Sequence, residues 1–213
     1  MVRPRTPNGR ARETHRRLAE EYPEAVCELD HRNAFELLAA TILSAQTTDK
    51  RVNMVTPTLF AKYPDAHALA AADPAELEEI VRSTGFYASK ARNLIAMAQR
   101  LVDAYGGEVP GAMSDLTSLA GVGRKTANVV RSVALGLPGL PVDTHVGRLA
   151  VRLGLTTETD PVKVEMALNP MIPAAERGDF SLRLILHGRR VCFARNPNCA
   201  DCVLNDFCPS SRV

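Results

Sequence analysis

Three observations predict an all-α protein. Aromatic residues make up only 5% of the 213 and tryptophan is absent, a composition poorly suited to the pleated surfaces of sandwiches and barrels. The strong helix formers Ala and Leu are abundant. Apolar residues recur at helical spacing in segment after segment, and no alternating run of strand length stands out. With 46% hydrophobic and 23% charged residues, the chain can bury a core and is not disordered. Its length allows one large domain or two small ones. No apolar run approaches the roughly 18 residues of a membrane span, and residues 1–20 lack the apolar stretch of a signal peptide. A soluble, cytoplasmic protein is therefore expected.

The elements follow in order. Residues 1–9, with two Pro and a Gly among Arg, read as a flexible basic lead-in to a helix over about 10–22. Asn33 with Glu36 three residues on is an N-terminal capping signal, followed by Phe35, Leu37, Leu38, Ile42 and Leu43. A further helix is expected from Thr48 to Lys62. Asp73-Pro74-Ala75-Glu76 combines a cap, a proline at the first position and an acid in the first turn. Tyr87 to Tyr105 carries Ala91, Leu94, Ile95, Ala98, Leu101 and Val102 on one face, and Gly106-Gly107 stops it. Asp115 to Leu119 reads as a short helix, Gly121-Val122-Gly123 as a tight turn, and Arg124 to Gly136 as the next helix. Pro138 to Pro141 is a linker. Asp143 caps a helix reaching Leu153, Asp160-Pro161 opens another, and Phe180 to Val191 leads into the cysteines.

Net charge is +2, too small to mark a nucleic-acid footprint by itself. Arg supplies 21 of the 26 basic residues, which leaves five lysines: Lys50, Lys62, Lys90, Lys125 and Lys163. Cys27 stands alone and reads as a small core residue. The other four cysteines are spaced Cys192-x6-Cys199-x2-Cys202-x5-Cys208. Crowding at one end of a chain without a secretion signal points to metal ligation, not to disulfides. Four thiolates suit zinc or an iron–sulfur cluster. One close pair within so short a stretch must wrap a bulky object, which favours a [4Fe-4S] cube over one zinc ion.

Leu119-Ala120-Gly121-Val122-Gly123-Arg124-Lys125-Thr126-Ala127 admits three readings. A Walker A loop needs Gly directly before the Lys, where Arg124 stands. A dinucleotide loop needs a small residue where Thr126 stands, and both need a preceding strand. The third reading is a helix-hairpin-helix, whose two glycines let backbone amides approach a phosphate without reading sequence. Lys125 opens the second helix. An ammonium there opposes the positive end of the helix dipole, and together with partial burial this favours the free amine of a nucleophile. Asp143 follows eighteen residues later as a helix cap. Its carboxylate could also stabilise positive charge on a sugar or take a proton from an attacking amine. His145 beside it reads as structural.

Taken together, these residues resemble the endonuclease III family of helix-hairpin-helix iron–sulfur DNA glycosylases, over nearly the whole chain. The likeness rests on Leu43-Ser44-Ala45-Gln46-Thr47-Thr48-Asp49, Gly85-Phe86-Tyr87-Ala88-Ser89-Lys90-Ala91, Gly107-Glu108-Val109-Pro110, Gly121 to Val130, Val142-Asp143-Thr144-His145, Leu184 to Arg189, and the four cysteines. It implies two helical domains with a DNA cleft between them. One is a six-helix barrel with the hairpin over about 27–137; the other is a [4Fe-4S] domain combining 1–26 with 138–213.

The resemblance further implies a bifunctional glycosylase and AP lyase of base excision repair. Its substrate is duplex DNA with an oxidised pyrimidine or an abasic site, and it acts as a monomer at the nucleoid, with no membrane partner. Lys125 is then the nucleophile and Asp143 the essential carboxylate. Gln46 fills the vacated space, Phe86 is the wedge, and Gly121, Val122, Gly123 and Arg195 meet DNA; Cys192, Cys199, Cys202 and Cys208 hold the cluster. The chain departs from the family pattern at Ala120, where Pro is common, and at Thr117, where Glu is frequent. Arg195 is the one basic residue between Cys192 and Cys199. Three alternatives remain beside this reading: a monofunctional adenine-mismatch glycosylase, which lacks the Lys, a non-catalytic cluster protein that binds damaged DNA, and a zinc module.

Overall fold

Seven of the eleven α-helices described start where a short polar side chain accepts a first-turn amide. The protein, described over residues 3–213 by a computed structural model, is all-α, with no strand among the described residues. The helices are α1 (Pro7–Glu21), α2 (Ala34–Leu43), α3 (Asp49–Lys62), α4 (Ala66–Ala70), α5 (Pro74–Val81), α6 (Tyr87–Tyr105), α7 (Met113–Thr117), α8 (Arg124–Val129), α9 (Thr144–Arg152), α10 (Pro161–Leu168) and α11 (Arg177–Arg190). They fall into two compact units, one spanning Cys27–Leu137 and the other combining the chain up to Val26 with Pro138–Val213.

The Cys27–Leu137 unit holds α2 to α8. Asn33, Thr48, Asp65 and Asp73 cap α2, α3, α4 and α5 through their side chains. Leu37, Leu38, Ala39, Ala40 and Leu43 of α2 are wholly buried, as expected of a helix that is apolar on all sides. Glu36 on the same helix is buried too. It is satisfied by the Arg32 amide at 2.7 Å and by the Arg32 guanidinium. Burial opposes its ionisation, but these Arg32 contacts outweigh burial and hold its pKa below the usual carboxylate value. α6 buries Leu94, Met97, Ala98 and Leu101 against this core and ends where the Gly107 amide returns to the Leu101 carbonyl.

In the second unit α1 lies against α11. Phe180 is fully buried and meets the His15 ring edge-on at 5.6 Å. Arg17 reaches from α1 to the Asp206 carboxylate and the Val203 carbonyl and lies over the Phe207 ring, fastening the cysteine segment to the helices. Gly188 of α11 faces α9 so closely that a Cβ there would lie 2.9 Å from His145 Cβ.

Several boundaries differ from expectation. Residues 1 and 2 of the expected lead-in lie outside the described residues, but 7–9 are helical rather than flexible. Pro7 needs no amide partner at the first position, and the Thr6 hydroxyl accepts from the Gly9 amide. α4 is an additional helix capped by Asp65. α7 starts at Met113, two residues early, and α11 starts at Arg177, three residues early. The helix expected to run unbroken from Arg124 loosens into a π turn over Val130–Ala134.

Candidate functional site

The hairpin leads from α7 to α8. Gly121 has φ of 76°, a conformation that glycine adopts without strain, and a Cβ there would come within 3.1 Å of the Asn93 side chain. Val122 is buried and anchors the turn. Gly123 occupies the cap position of α8 without a side chain, so no cap competes for the first amides of that helix. Lys125 lies in this first turn. Ala127 and Asn128 take the buried side of α8, and Lys125 is on the other, exposed rather than partly buried as expected. It has no hydrogen-bond partner among the described residues. Thr117, where relatives often carry Glu, closes α7 by donating to the Met113 carbonyl at 2.9 Å.

Two loops of the same unit carry Gln46 and Phe86, both exposed. They are the only non-glycine residues with positive φ among those described, at 55° and 50°. The left-handed conformation costs roughly 1–2 kcal/mol for an L-residue, and such strain gathers at functional sites. Phe86 is 68% exposed, so burial of its ring does not offset this cost.

Asp143 caps α9. Its Oδ1 accepts the amides of His145 and Val146, each at 2.8 Å, while Oδ2 takes no hydrogen bond among the described residues. His145 Nδ1 pairs with Arg148 Nη2 at 3.1 Å and packs on Gly188, in keeping with a structural role.

The four C-terminal cysteine thiols line one cavity together with Leu149, Arg152 and His187. They are unpaired and only partly exposed, and burial pushes the Cys202 thiol up to about 11. A bound metal would offset that burial and hold the Cys202 sulfur as a thiolate. A cube spreads its four ligands over a cavity wall, and these four cysteines line one cavity. The Arg152 guanidinium donates to Cys192 Sγ at 3.3 Å, and His187 Nε2 lies 3.3 Å from Cys202 Sγ. Burial lowers His187 to about 4, so its ring is neutral, and its Nδ1 lies 3.1 Å from the Tyr22 hydroxyl. Donors placed at sulfur suit a thiolate-bound cluster. Arg152 also holds the Phe193 and Ala194 carbonyls, and Arg148 the Cys192 carbonyl, which shapes the loop that carries exposed Arg195.

Sequence reasoning gave no role to Lys90, Arg148, Arg152 or His187. The i, i+4 spacing of Arg148 and Arg152 ahead of the cysteines was the available signal for that pair. Lys90 and His187 stood inside recognised motifs, but nothing local marked them as buried.

A hairpin ahead of an exposed lysine, in an all-α chain with four clustered cysteines, defines a class, and comparison agrees. The HhH-GPD superfamily of base excision DNA repair proteins matches residues 39–174, and the iron-sulfur binding domain of endonuclease III matches 192–208. Endonuclease III of Synechocystis sp. is 52% identical over 193 residues, 90% of this chain and 88% of that protein. The Escherichia coli K12 enzyme is 41% identical over 195 residues, 90% and 91% of the two chains. A solved structure of a trapped endonuclease III–DNA covalent intermediate matches with a TM-score of 0.89 at 45% identity, covering 95% of this chain and 96% of that one.

The chain belongs to the endonuclease III family. It is a DNA glycosylase and AP lyase of base excision repair, with DNA as its partner and a [4Fe-4S] cluster as its cofactor. No helix among the described residues is long and apolar enough to cross a membrane.

Proposed function

We propose that this protein, acting as a monomer at the nucleoid, excises oxidised pyrimidines from duplex DNA with Lys125 as nucleophile and Asp143 as the assisting carboxylate. The observation that carries the reading is the placement of Lys125: exposed, without a hydrogen-bond partner among the described residues, in the first turn after the glycine hairpin. DNA brought against the hairpin would desolvate this amine and place the sugar beside it. Lys125 Nζ attacks the sugar C1′, the C1′–N bond breaks, and the base leaves with the electron pair. The sugar ring opens as the amine becomes a Schiff base. This acidifies C2′, and loss of a C2′ proton expels the 3′ phosphate and breaks the strand.

Asp143 would take the proton released by the attacking amine or stabilise positive charge on the sugar. Gln46 and Phe86 would occupy the space left by the displaced nucleotide and wedge the stack. Gly121 and Gly123 would present backbone amides to phosphate, Val122 would hold the turn with its amide on the Leu119 carbonyl at 3.2 Å, and Arg195 would add a cationic contact. The hairpin domain would be residues 27–137 and the cluster domain 1–26 with 138–213. Cys192, Cys199, Cys202 and Cys208 would hold the cluster, which when bound draws these thiolates together and sets the shape of the Arg195 loop.

Borohydride trapping tests the reading. Mixed with duplex containing an oxidised pyrimidine, the wild-type holoprotein is expected to give a covalent protein–DNA adduct, and Lys125→Ala none. Undiminished trapping by Lys125→Ala, or no adduct from protein that cleaves the duplex, would sink it.

A further inference from the structure

Gln46 and Phe86 are strained, and neither is held by burial of its own side chain. Something else must fix both loops. Each strained residue lies within two positions of an acceptor of the same buried ammonium. Lys90, on α6, is only 4% exposed. Its Nζ donates to Thr47 Oγ1 at 2.9 Å and to the Thr84 carbonyl at 2.8 Å. The Thr47 hydroxyl donates to that same carbonyl, closing a three-membered set. Thr84 is buried as well, and its own hydroxyl donates to the Val81 carbonyl at 2.7 Å. The Lys90 amide donates to the Phe86 carbonyl at 3.0 Å as the opening backbone bond of α6, so the ammonium sits on the helix that starts at the Phe86 loop.

Lys90 has no carboxylate partner among the described residues, and burial alone drives its pKa below the ordinary lysine value. A buried ammonium whose acceptors are a hydroxyl and a carbonyl is a poor way to stabilise a core; an apolar side chain of the same length would fill the space with less desolvation. What the ammonium supplies, and a methionine would not, is a bond to both loops at once. Three donors on one nitrogen can tie both segments, which the Thr47 hydroxyl also joins through the Thr84 carbonyl.

We propose that Lys90 is a positioning residue that clamps the Gln46 and Phe86 loops into one register, so that the two side chains enter DNA as a single preset probe. The proposal rests on the roles assigned to Gln46 and Phe86 above. It places the strain of both residues under one control point, with Lys90 itself touching no DNA.

The test uses the holoprotein and two substrates. Lys90→Met is expected to lower single-turnover excision from a lesion-containing duplex by about 30- to 100-fold, the scale of a misplaced positioning group. Borohydride trapping on a single-stranded abasic oligonucleotide, which needs no base displaced from a stack, is expected to stay within about twofold. In a Gln46→Ala/Phe86→Ala background, Lys90→Met is expected to cost less than about twofold further, because a residue acting through two others is non-additive with them. Equal loss on both substrates, or full loss in the double-variant background, would make Lys90 merely structural and overturn the proposal; so would undiminished duplex activity. If Lys90→Met does not fold by circular dichroism, Thr47→Val removes one acceptor and leaves the other. It is then expected to lower duplex excision by about 5- to 10-fold with single-stranded trapping intact, and an unchanged duplex rate would refute the clamp. A wild-type protein that neither excises nor traps would instead remove the functional reading on which the clamp rests.

Discussion

Asp143 caps α9, and the proposed reaction gives its charge a second task; one substitution pair separates the two. As the cap of α9, its Oδ1 accepts two amides at 2.8 Å. Asp143→Ala leaves both without that acceptor. Losses of N-caps run about 0.5–2 kcal/mol, and two charge-assisted bonds place this one in the upper half, about 1–2 kcal/mol. For a chain of this size each kcal/mol moves Tm by about 2–4 °C, so the alanine variant is expected to melt about 2–8 °C lower. Asp143→Asn keeps a carbonyl oxygen in the same place, and Asn caps helices as well as Asp does, so its Tm is expected within about 2 °C of wild type. The charge, however, is gone. If the carboxylate assists the amine or the sugar, single-turnover excision in the asparagine variant should fall by about 10²- to 10⁴-fold. Thermal melts by circular dichroism and gel-resolved single-turnover kinetics on the same holoprotein samples decide the matter. An asparagine variant as fast as wild type would show that the reaction makes no use of the charge. One that melts as low as the alanine variant would show that the cap is not what Asp143 contributes to stability.

Three further outcomes are expected. Gly121→Ala places a Cβ at φ 76° and 3.1 Å from Asn93, and should cost about 1–2 kcal/mol and weaken duplex binding in fluorescence anisotropy, whereas Gly123→Ala, with open space around its Cβ, should be milder in both; equal effects would refute the geometric account. Hydrogen bonding to Arg16, with that to Arg17, holds Glu13 at about 2 against an ordinary 4.5. Because the folded value is the lower one, this contribution is complete above about pH 4.5 and lost as pH falls towards 2, and urea unfolding midpoints of Glu13→Gln should be flatter than wild type across that window. Cys202→Ser should lose bound iron and the brown colour in metal and sulfide assays and expose residues 192–208 to protease, while a colourless wild-type preparation loaded with zinc would contradict the cluster.

Much of the fold was legible because helix starts are local events. Asn33, Thr48, Asp73, Asp143 and Asp160 each accept amides two or three residues ahead, so cap and helix lie within one reading window. Two boundaries were misjudged where a weaker signal sufficed, Thr6 before Pro7 and Asp65 before a helix of five residues, and α7 and α11 start early with no side-chain cap to mark them. The π turn at Val130–Ala134 has no counterpart in apolar spacing, because the sequence remains helical through it.

The sequence by itself determined that the chain is helical, that four cysteines share a ligand task, and that Lys125 follows a glycine hairpin. Each depends on residue type and spacing over at most seventeen positions. Only the tertiary structure decided that Lys125 is exposed, that His187 reaches Cys202 and Tyr22, and that Lys90 bridges two loops. Lys90 meets Thr47 across 43 positions, and its other acceptor is a backbone carbonyl. Every residue has such a carbonyl, so no side-chain pattern marks which one will be used. The strain at Gln46 and Phe86 is hidden for the same reason: a positive φ in a non-glycine residue is imposed by distant contacts, not by the residue's own chemistry.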